Sequence, residues 1–158
     1  IHIAIAPTKN SNRFEWFLEK TVELGIKEIT PIITQRSERN KLNVDRIHKK
    51  MITALKQSNN SFLPLLNPIV KFDNFIKQTS DNHKFICHNE NNSIPYLKDV
   101  ISTDKNYILL IGPEGGFTST EVKLAEDYQY QQTLLGDSRY RTETAGILAC
   151  HTIHLCAK

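Results

Sequence analysis

No stretch of this 158-residue sequence approaches the roughly 20 consecutive apolar residues of a membrane-spanning helix, so no membrane partner is expected. No basic n-region opens it either. Ile1-His2-Ile3-Ala4-Ile5 alternates like a strand, which argues against a secretory signal. Position 1 is not methionine, and the expectation is a fragment or processed chain with something missing upstream. Cysteine is scarce: Cys87, Cys150 and Cys156 are odd in number and show no CxxC spacing. Reduced, buried thiols and a cytoplasmic location follow from that usage. Metal ligands are too sparse for a site. His88 beside Cys87, and His151 with His154, each lack further ligands, so no metal is expected. Internal repeats and low-complexity linkers are also missing. What remains is the composition of one globular domain, 39% hydrophobic and 23% charged.

The net charge of +3 says little, but its distribution is uneven. Between Arg36 and Lys56 stand seven Lys/Arg (Arg36, Arg39, Lys41, Arg46, Lys49, Lys50, Lys56) against Glu38 and Asp45. Such a segment is either a phosphate-binding face or a solvated helix face.

Hydrophobic period gives an alternation of strands and helices. Ile1, Ile3 and Ile5 predict a strand. Asn10 to Asn12 offers a helix cap before Phe14, Phe17, Leu18 and Val22, and Gly25 a stop. Residues 29–33 read as a strand whose Pro31 implies an edge or irregular position. Asp45 is the expected cap of a second helix with Ile47, Met51, Ile52 and Leu55 on one face. Residues 59–67 read as loop and 72–78 as a short helix. Strands are expected at 84–88 and 107–111, the former followed by a polar loop over 89–93. Thr118-x-x-Glu121 is a capping-box pattern for a helix running to about Tyr128. A short strand over 133–135 ends at Gly136, and a last helix covers 142–156. This order predicts an α/β domain with a mainly parallel sheet flanked by helices.

Ligands of open α/β sheets bind at the carboxyl ends of strands. Three predicted strands end in unusual chemistry: at His88, at Gly112-Pro113-Glu114-Gly115-Gly116, and at Gly136 before Asp137-Ser138-Arg139-Tyr140-Arg141-Thr142-Glu143-Thr144-Ala145. The glycine loop is no P-loop, because Phe117-Thr118 follows it and Glu114 would repel phosphate; GxGxxG is absent too. Glycines let a ligand approach the main chain. A nucleoside-like ligand in an apolar slot, with Leu110, Ile111, Leu134 and Leu135 as walls, suits such a loop. Arg139 and Arg141 are candidates to grip a phosphate or carboxylate. Glu143 would neutralise one of them or accept a hydrogen bond from substrate.

"LLIGPEGGFTSTE" followed by "LLGDSRYRTETA" resembles the bacterial 16S ribosomal RNA (uracil-N3) methyltransferases of the SPOUT superfamily. "EWFLEKTVELGI", "ITPIITQRSER" and "LKQS…LP" fall in the order such a chain expects, so the resemblance spans residues 1–158. It implies a homodimeric α/β trefoil knot in which residues 133–158 pass through a loop of earlier segments. S-adenosylmethionine would lie bent against the loops after His88, Ile111 and Leu135. The cofactor residues implied are His88, Leu110, Ile111, Gly112, Pro113, Glu114, Gly115, Gly116, Leu134, Leu135, Gly136, Tyr140, Thr142, Thr144 and Ala145. Arg139, Arg141 and Glu143 would act in catalysis, and Arg36, Arg39, Lys49 and Lys50 would hold RNA. The implied substrate is a uridine in the decoding region of 16S rRNA, within the assembled 30S subunit. An N-terminal RNA-binding domain of such enzymes is not found in this sequence, and Asn59-Asn60-Ser61 stands where a cation is expected. Alternatives are a SPOUT methyltransferase with another RNA target, or a noncatalytic RNA-binding module of the same fold.

Overall fold

The computed structural model of the chain describes every residue except 59, 80–82, 89–92, 104 and 158. Period-two alternation at the start becomes β1 (His2–Ile5), with Ile3 and Ile5 in the core on one face and Ala4 on the other. The Asn10 side chain accepts the Asn12 N–H and caps α1 (Ser11–Glu23), which buries Phe14, Phe17, Leu18 and Val22. Gly25, at φ 80°, follows it. Next come β2 (Glu28–Ile33), α2 (Val44–Ser58), β3 (Leu65–Leu66), β4 (Val70–Lys71) and α3 (Phe72–Gln78). The second half adds β5 (His83–Cys87), α4 (Leu97–Val100), β6 (Tyr107–Ile111), α5 (Ser119–Asp127), β7 (Gln131–Thr133) and α6 (Thr142–Cys156).

Every pairing is parallel, in the order β3-β2-β1-β6-β5-β7, with β4 also on β2. Parallel strands are covered on both faces and so read as continuous apolar runs. All five residues of β6, YILLI, are buried. One face packs Ile3, Ile5, Leu109 and Ile111 against α1, α2 and α6. The other packs Ala4, Ile86, Ile108 and Leu110 with Phe72, Phe75, Phe117, Val122 and Tyr130.

The final helix leaves the edge strand β7 and returns to the sheet's centre. At Gly146 an added Cβ would lie 2.5 Å from the Phe17 ring and 3.1 Å from Ile5 Cδ1, so only glycine admits this approach of α6 to α1 and β1. The Thr142 hydroxyl donates to Gly112 O at 2.9 Å.

Several local expectations meet the structure differently. Of the two positions expected for Pro31, the edge is excluded, because β2 lies between β1 and the β3/β4 pair, and the irregular one is what the structure has. Pro31 is tolerated there: β3 reaches β2 at Glu28 and Ile29, β4 at Ile32 and Ile33, and the outer ladder is interrupted where Pro31 has no N–H to give. Asn43, not Asp45, closes the start of α2, its side chain accepting the Arg46 N–H at 3.1 Å. Ile52 is 40% exposed, and Ala54 takes its place on the face shared by Ile47 and Met51. β7 begins two residues early, and Leu134 continues it only through a single bridge to Tyr96. The loop expected at 59–67 contains β3, with residue 59 outside the described residues, as is most of the predicted polar loop 89–93.

Candidate active site

Strand register brings Cys87, Ile111 and Thr133 side by side at the carboxyl ends of β5, β6 and β7. The loops leaving those ends enclose a cavity of about 320 Å³. Thirteen of the residues implied by the resemblance line it: His88, Ile111, Gly112, Pro113, Glu114, Gly115, Gly116, Leu134, Leu135, Gly136, Tyr140, Thr142 and Ala145; Arg139 joins them. Leu110 does not. It is fully buried on the opposite face of the sheet, because neighbours on a strand point to opposite sides. Thr144, Arg141 and Glu143 also lie outside the lining.

The glycine loop is held from outside. Glu114 Oε1 accepts the Lys9 N–H at 3.0 Å from the loop after β1. Arg139 Nη2 lies 3.5 Å from Glu114 O. Gly116, at φ 70°, donates its N–H to Pro113 O at 2.8 Å and closes the turn. The capping box of α5 is complete: Thr118 Oγ1 accepts the Glu121 N–H, and Glu121 Oε2 accepts the Thr118 N–H at 2.8 Å. The other oxygen of Glu121 accepts the Gln35 N–H at 2.8 Å, which accounts for a carboxylate only 2% exposed. A glutamate among glycines therefore anchors the loop through the backbone of β1's successor, 105 residues away in sequence.

On the far wall, Leu134 N–H donates to Pro95 O and Leu97 N–H to Leu134 O, tying the loop after β7 to the start of α4. Tyr96 Oη donates to Asp137 Oδ1. Burial pushes the Cys87 thiol up to about 12, so this wall is a neutral sulfhydryl rather than a thiolate. Backbone amides and carbonyls, short apolar side chains and a rim of Arg36, Arg139 and Glu114 make up the site. Such a surface holds a mostly neutral, planar or sugar-bearing group through main-chain contacts.

The basic segment divides. Arg36 Nη1 donates to Gly115 O at 2.7 Å, and Arg36 lines the cavity. Arg39 donates to Thr8 O at 3.1 Å and Lys9 O at 2.8 Å. Arg46 forks onto Glu15 at 2.6 and 3.1 Å, pinning α2 to α1. Lys41, Lys49, Lys50 and Lys56 are exposed. Glu143 is buried, 5% exposed, with Oε1 3.8 Å from Arg13 Nε. Arg141 is exposed and stands at the N-cap of α6. Sequence reasoning missed Cys87, Thr133, Phe117 and Ser138 in the lining. The first two follow only from strand register, which one strand's own sequence does not carry.

A family model described as RNA methyltransferase domain matches residues 1–154. Ribosomal RNA small subunit methyltransferase E of Rickettsia conorii is 29% identical over 143 residues, 87% of this chain and 57% of the relative. The protein of that name from Mesomycoplasma hyopneumoniae is 30% identical over 156 residues, 92% of this chain and 64% of the relative. The chain thus spans under two thirds of these curated relatives. Among solved structures, a probable rRNA-methyltransferase from Porphyromonas gingivalis superimposes with TM-score 0.92 at 37% identity, over 98% of this chain and 68% of that one. The Neisseria gonorrhoeae methyltransferase E, solved bound to S-adenosyl methionine, gives TM-score 0.89 at 26% identity, over 99% and 65%. The parallel sheet flanked by helices is the SPOUT-type α/β fold, and with 154 of its residues matched the chain belongs to the RNA methyltransferase domain family.

Proposed function

We propose that this chain is the catalytic domain of an S-adenosylmethionine-dependent methyltransferase acting on N3 of a uridine in the decoding region of 16S rRNA, within the assembled 30S subunit. The observation that carries the reading is the cavity at the ends of β5, β6 and β7, walled by a glycine loop anchored on two sides. Its donor set fits the cofactor: main-chain groups of residues 112–116 and 134–136 for polar edges, and Ile111, Leu134 and Leu135 for an apolar slot. When bound, S-adenosylmethionine supplies the electrophilic methyl group. The chain's residues hold donor and acceptor in line and exclude water.

Uracil N3 lies on the Watson–Crick edge, so the base must be unpaired or flipped out. N3 also carries a proton, and its departure leaves negative charge on the ring. Arg139, at the cavity's rim, and exposed Arg141 are the proposed cations for that charge. Glu143 turns to Arg13 and not into the cavity, so its proposed role is to orient that arginine. Lys49 and Lys50, exposed on α2, are the proposed phosphate contacts. A homodimer through α6 is proposed from Leu155, 63% exposed, with Ile147 and Leu148 half-buried. Sedimentation at micromolar concentration checks it, a monomer being the adverse result.

Two measurements test the function. Calorimetric titration with S-adenosylmethionine comes first, and absence of binding ends the methyltransferase reading. Mapping of modified nucleotides in 16S rRNA, from cells with and without the gene, comes second. A methyl group lost anywhere other than a uridine N3 of the decoding region assigns a different RNA target.

A further inference from the structure

We infer that Arg36 is a positioning residue of the cofactor cavity: its side chain reaches across from the β2–α2 loop and fixes the glycine loop from outside, in place of contacting RNA phosphate. The inference rests on the proposed function and names what preorganises that same site. Residues 34–39 form a strap. Its own turn is closed by the Ser37 hydroxyl, which accepts the Thr34 N–H at 2.9 Å, and by the Ser37 N–H, which donates to Thr34 O at 3.2 Å. From this turn three groups reach the cavity's supports. The Gln35 N–H goes to Glu121 at the start of α5, 86 residues on. Arg36 Nη1 goes to Gly115 O, 79 residues on. Arg39 goes to Thr8 O and Lys9 O, and the Lys9 N–H in turn goes to Glu114. Strap, glycine loop and β1–α1 loop close a circuit.

Arg36 does more than donate. Its stem lies over Gly115, where an added Cβ would stand 3.2 Å from Arg36 Cδ and 3.3 Å from Arg36 Cβ. Gly115 is not at a positive φ, so a side chain there is crowded by the arginine and not disfavoured by backbone conformation. Arg36 and Gly115 are both exposed, so water replaces the lost hydrogen bond when Arg36 is removed, and the fold loses little. The loop, however, then has to be ordered when the ligand binds, and ordering a loop at binding subtracts from affinity. The charge-assisted bond to a main-chain carbonyl gives Arg36 a role within the protein that needs no RNA phosphate.

Four measurements on the 158-residue protein test this. Arg36→Ala should raise the dissociation constant for S-adenosylmethionine about tenfold with the melting temperature nearly unchanged, and Arg36→Lys, which keeps the stem and one donor, should recover most of the affinity. Gly115→Ala should weaken binding in the parent and add less in the Arg36→Ala background, since the contact with Arg36 Cδ is removed and only the one with its Cβ remains. The salt slope of RNA binding should stay the same in Arg36→Ala; a slope reduced by about 1 makes Arg36 a phosphate contact and overturns the inference. In ligand-free protein, amide exchange at residues 114–116 should quicken in Arg36→Ala. That reading stands even if the parent binds no cofactor, a result that would sink the proposed function alone. Equal affinity and equal exchange in parent and Arg36→Ala would overturn the strap.

Discussion

Gly116 and Gly115 are adjacent and both lack a side chain for different reasons. Gly116 takes φ 70°, where a Cβ meets nothing within 4 Å but the backbone itself is strained for any L side chain. Gly116→Ala should therefore cost about 1–2 kcal/mol of stability, read as a lowered Tm, because left-handed backbone disfavours a Cβ by that amount. Gly115→Ala should leave Tm nearly intact. The sequence suggests ligand space as the common reason for both glycines; both line the cavity, and the structure adds Arg36's stem over Gly115 and a turn at Gly116. At the opposite end of the sheet, His2 titrates against burial. Its Nε2 lies 2.8 Å from Thr30 Oγ1 and its ring meets Phe75 edge-on at 5.4 Å. Burial lowers its pKa below the ordinary 6.5, with Glu28, 3.7 Å from Nδ1, pulling the other way. On acidification the unfolded chain takes up that proton first, so stability present above about pH 6.5 declines as pH falls through the lower folded value. His2→Gln removes this term, and its Tm should fall less than the parent's between pH 7 and pH 5. Parallel curves for the two proteins count against the assignment.

Helix α2 carries two kinds of cation on one element. Arg46 is forked onto Glu15 and belongs to packing, whereas Lys49 and Lys50 point outward beside a shallow depression lined by Asn43, Asp45 and Thr53. Lys49→Ala with Lys50→Ala should weaken RNA binding and reduce its salt slope by about 1.5–2, each lost phosphate contact releasing fewer counterions. S-adenosylmethionine affinity should not change; an unchanged slope returns α2 to a solvated face. The same helix shows what a sequence carries and what it omits. Its apolar period was legible, but its cap went to Asn43 because Asn and Asp two residues apart offer equivalent side chains. Ile52 looked like core and is 40% exposed, since it falls on the flank of a stripe that Ala54 completes. β3, β4 and α4 span two to four residues each, too few to show any period. β6, α5 and α6 were legible to within a residue, because an unbroken apolar run, a capping box and a dense loop signal mark them locally. The cavity's glycine loop was legible for the same reason. Arg36 as part of its wall was not, because that contact joins residues 79 apart and carries no local signature.

Across the whole molecule, the cavity and the RNA surface differ in how much of them this chain supplies. Among the described residues, walls of the cavity run from Arg36 to Ala145, and the glycine loop's two clasps, from Lys9 and Arg36, lie within this chain. Cofactor affinity should therefore be a property of this polypeptide by itself. RNA affinity grows with the number of phosphates contacted over a wide surface. Here three arginines of the basic segment are engaged with protein groups, which leaves exposed Lys41, Lys49, Lys50 and Lys56 and a net charge of +3. The relatives compared extend well beyond the matched region, this chain spanning 57% and 64% of two of them. The 158-residue polypeptide should bind S-adenosylmethionine yet methylate 30S subunits slowly, since a substrate docked about an ångström out of place can lose on the order of a hundredfold in rate. The check pairs cofactor titration with methyl transfer to 30S subunits, using this polypeptide and a fusion to the additional segment of a relative. A large gain in transfer from the fusion, with cofactor affinity constant, is the expected outcome. Equal rates from both proteins would place the RNA specificity on α2 and the cavity rim, within the surface that Lys49, Lys50, Arg139 and Arg141 already define.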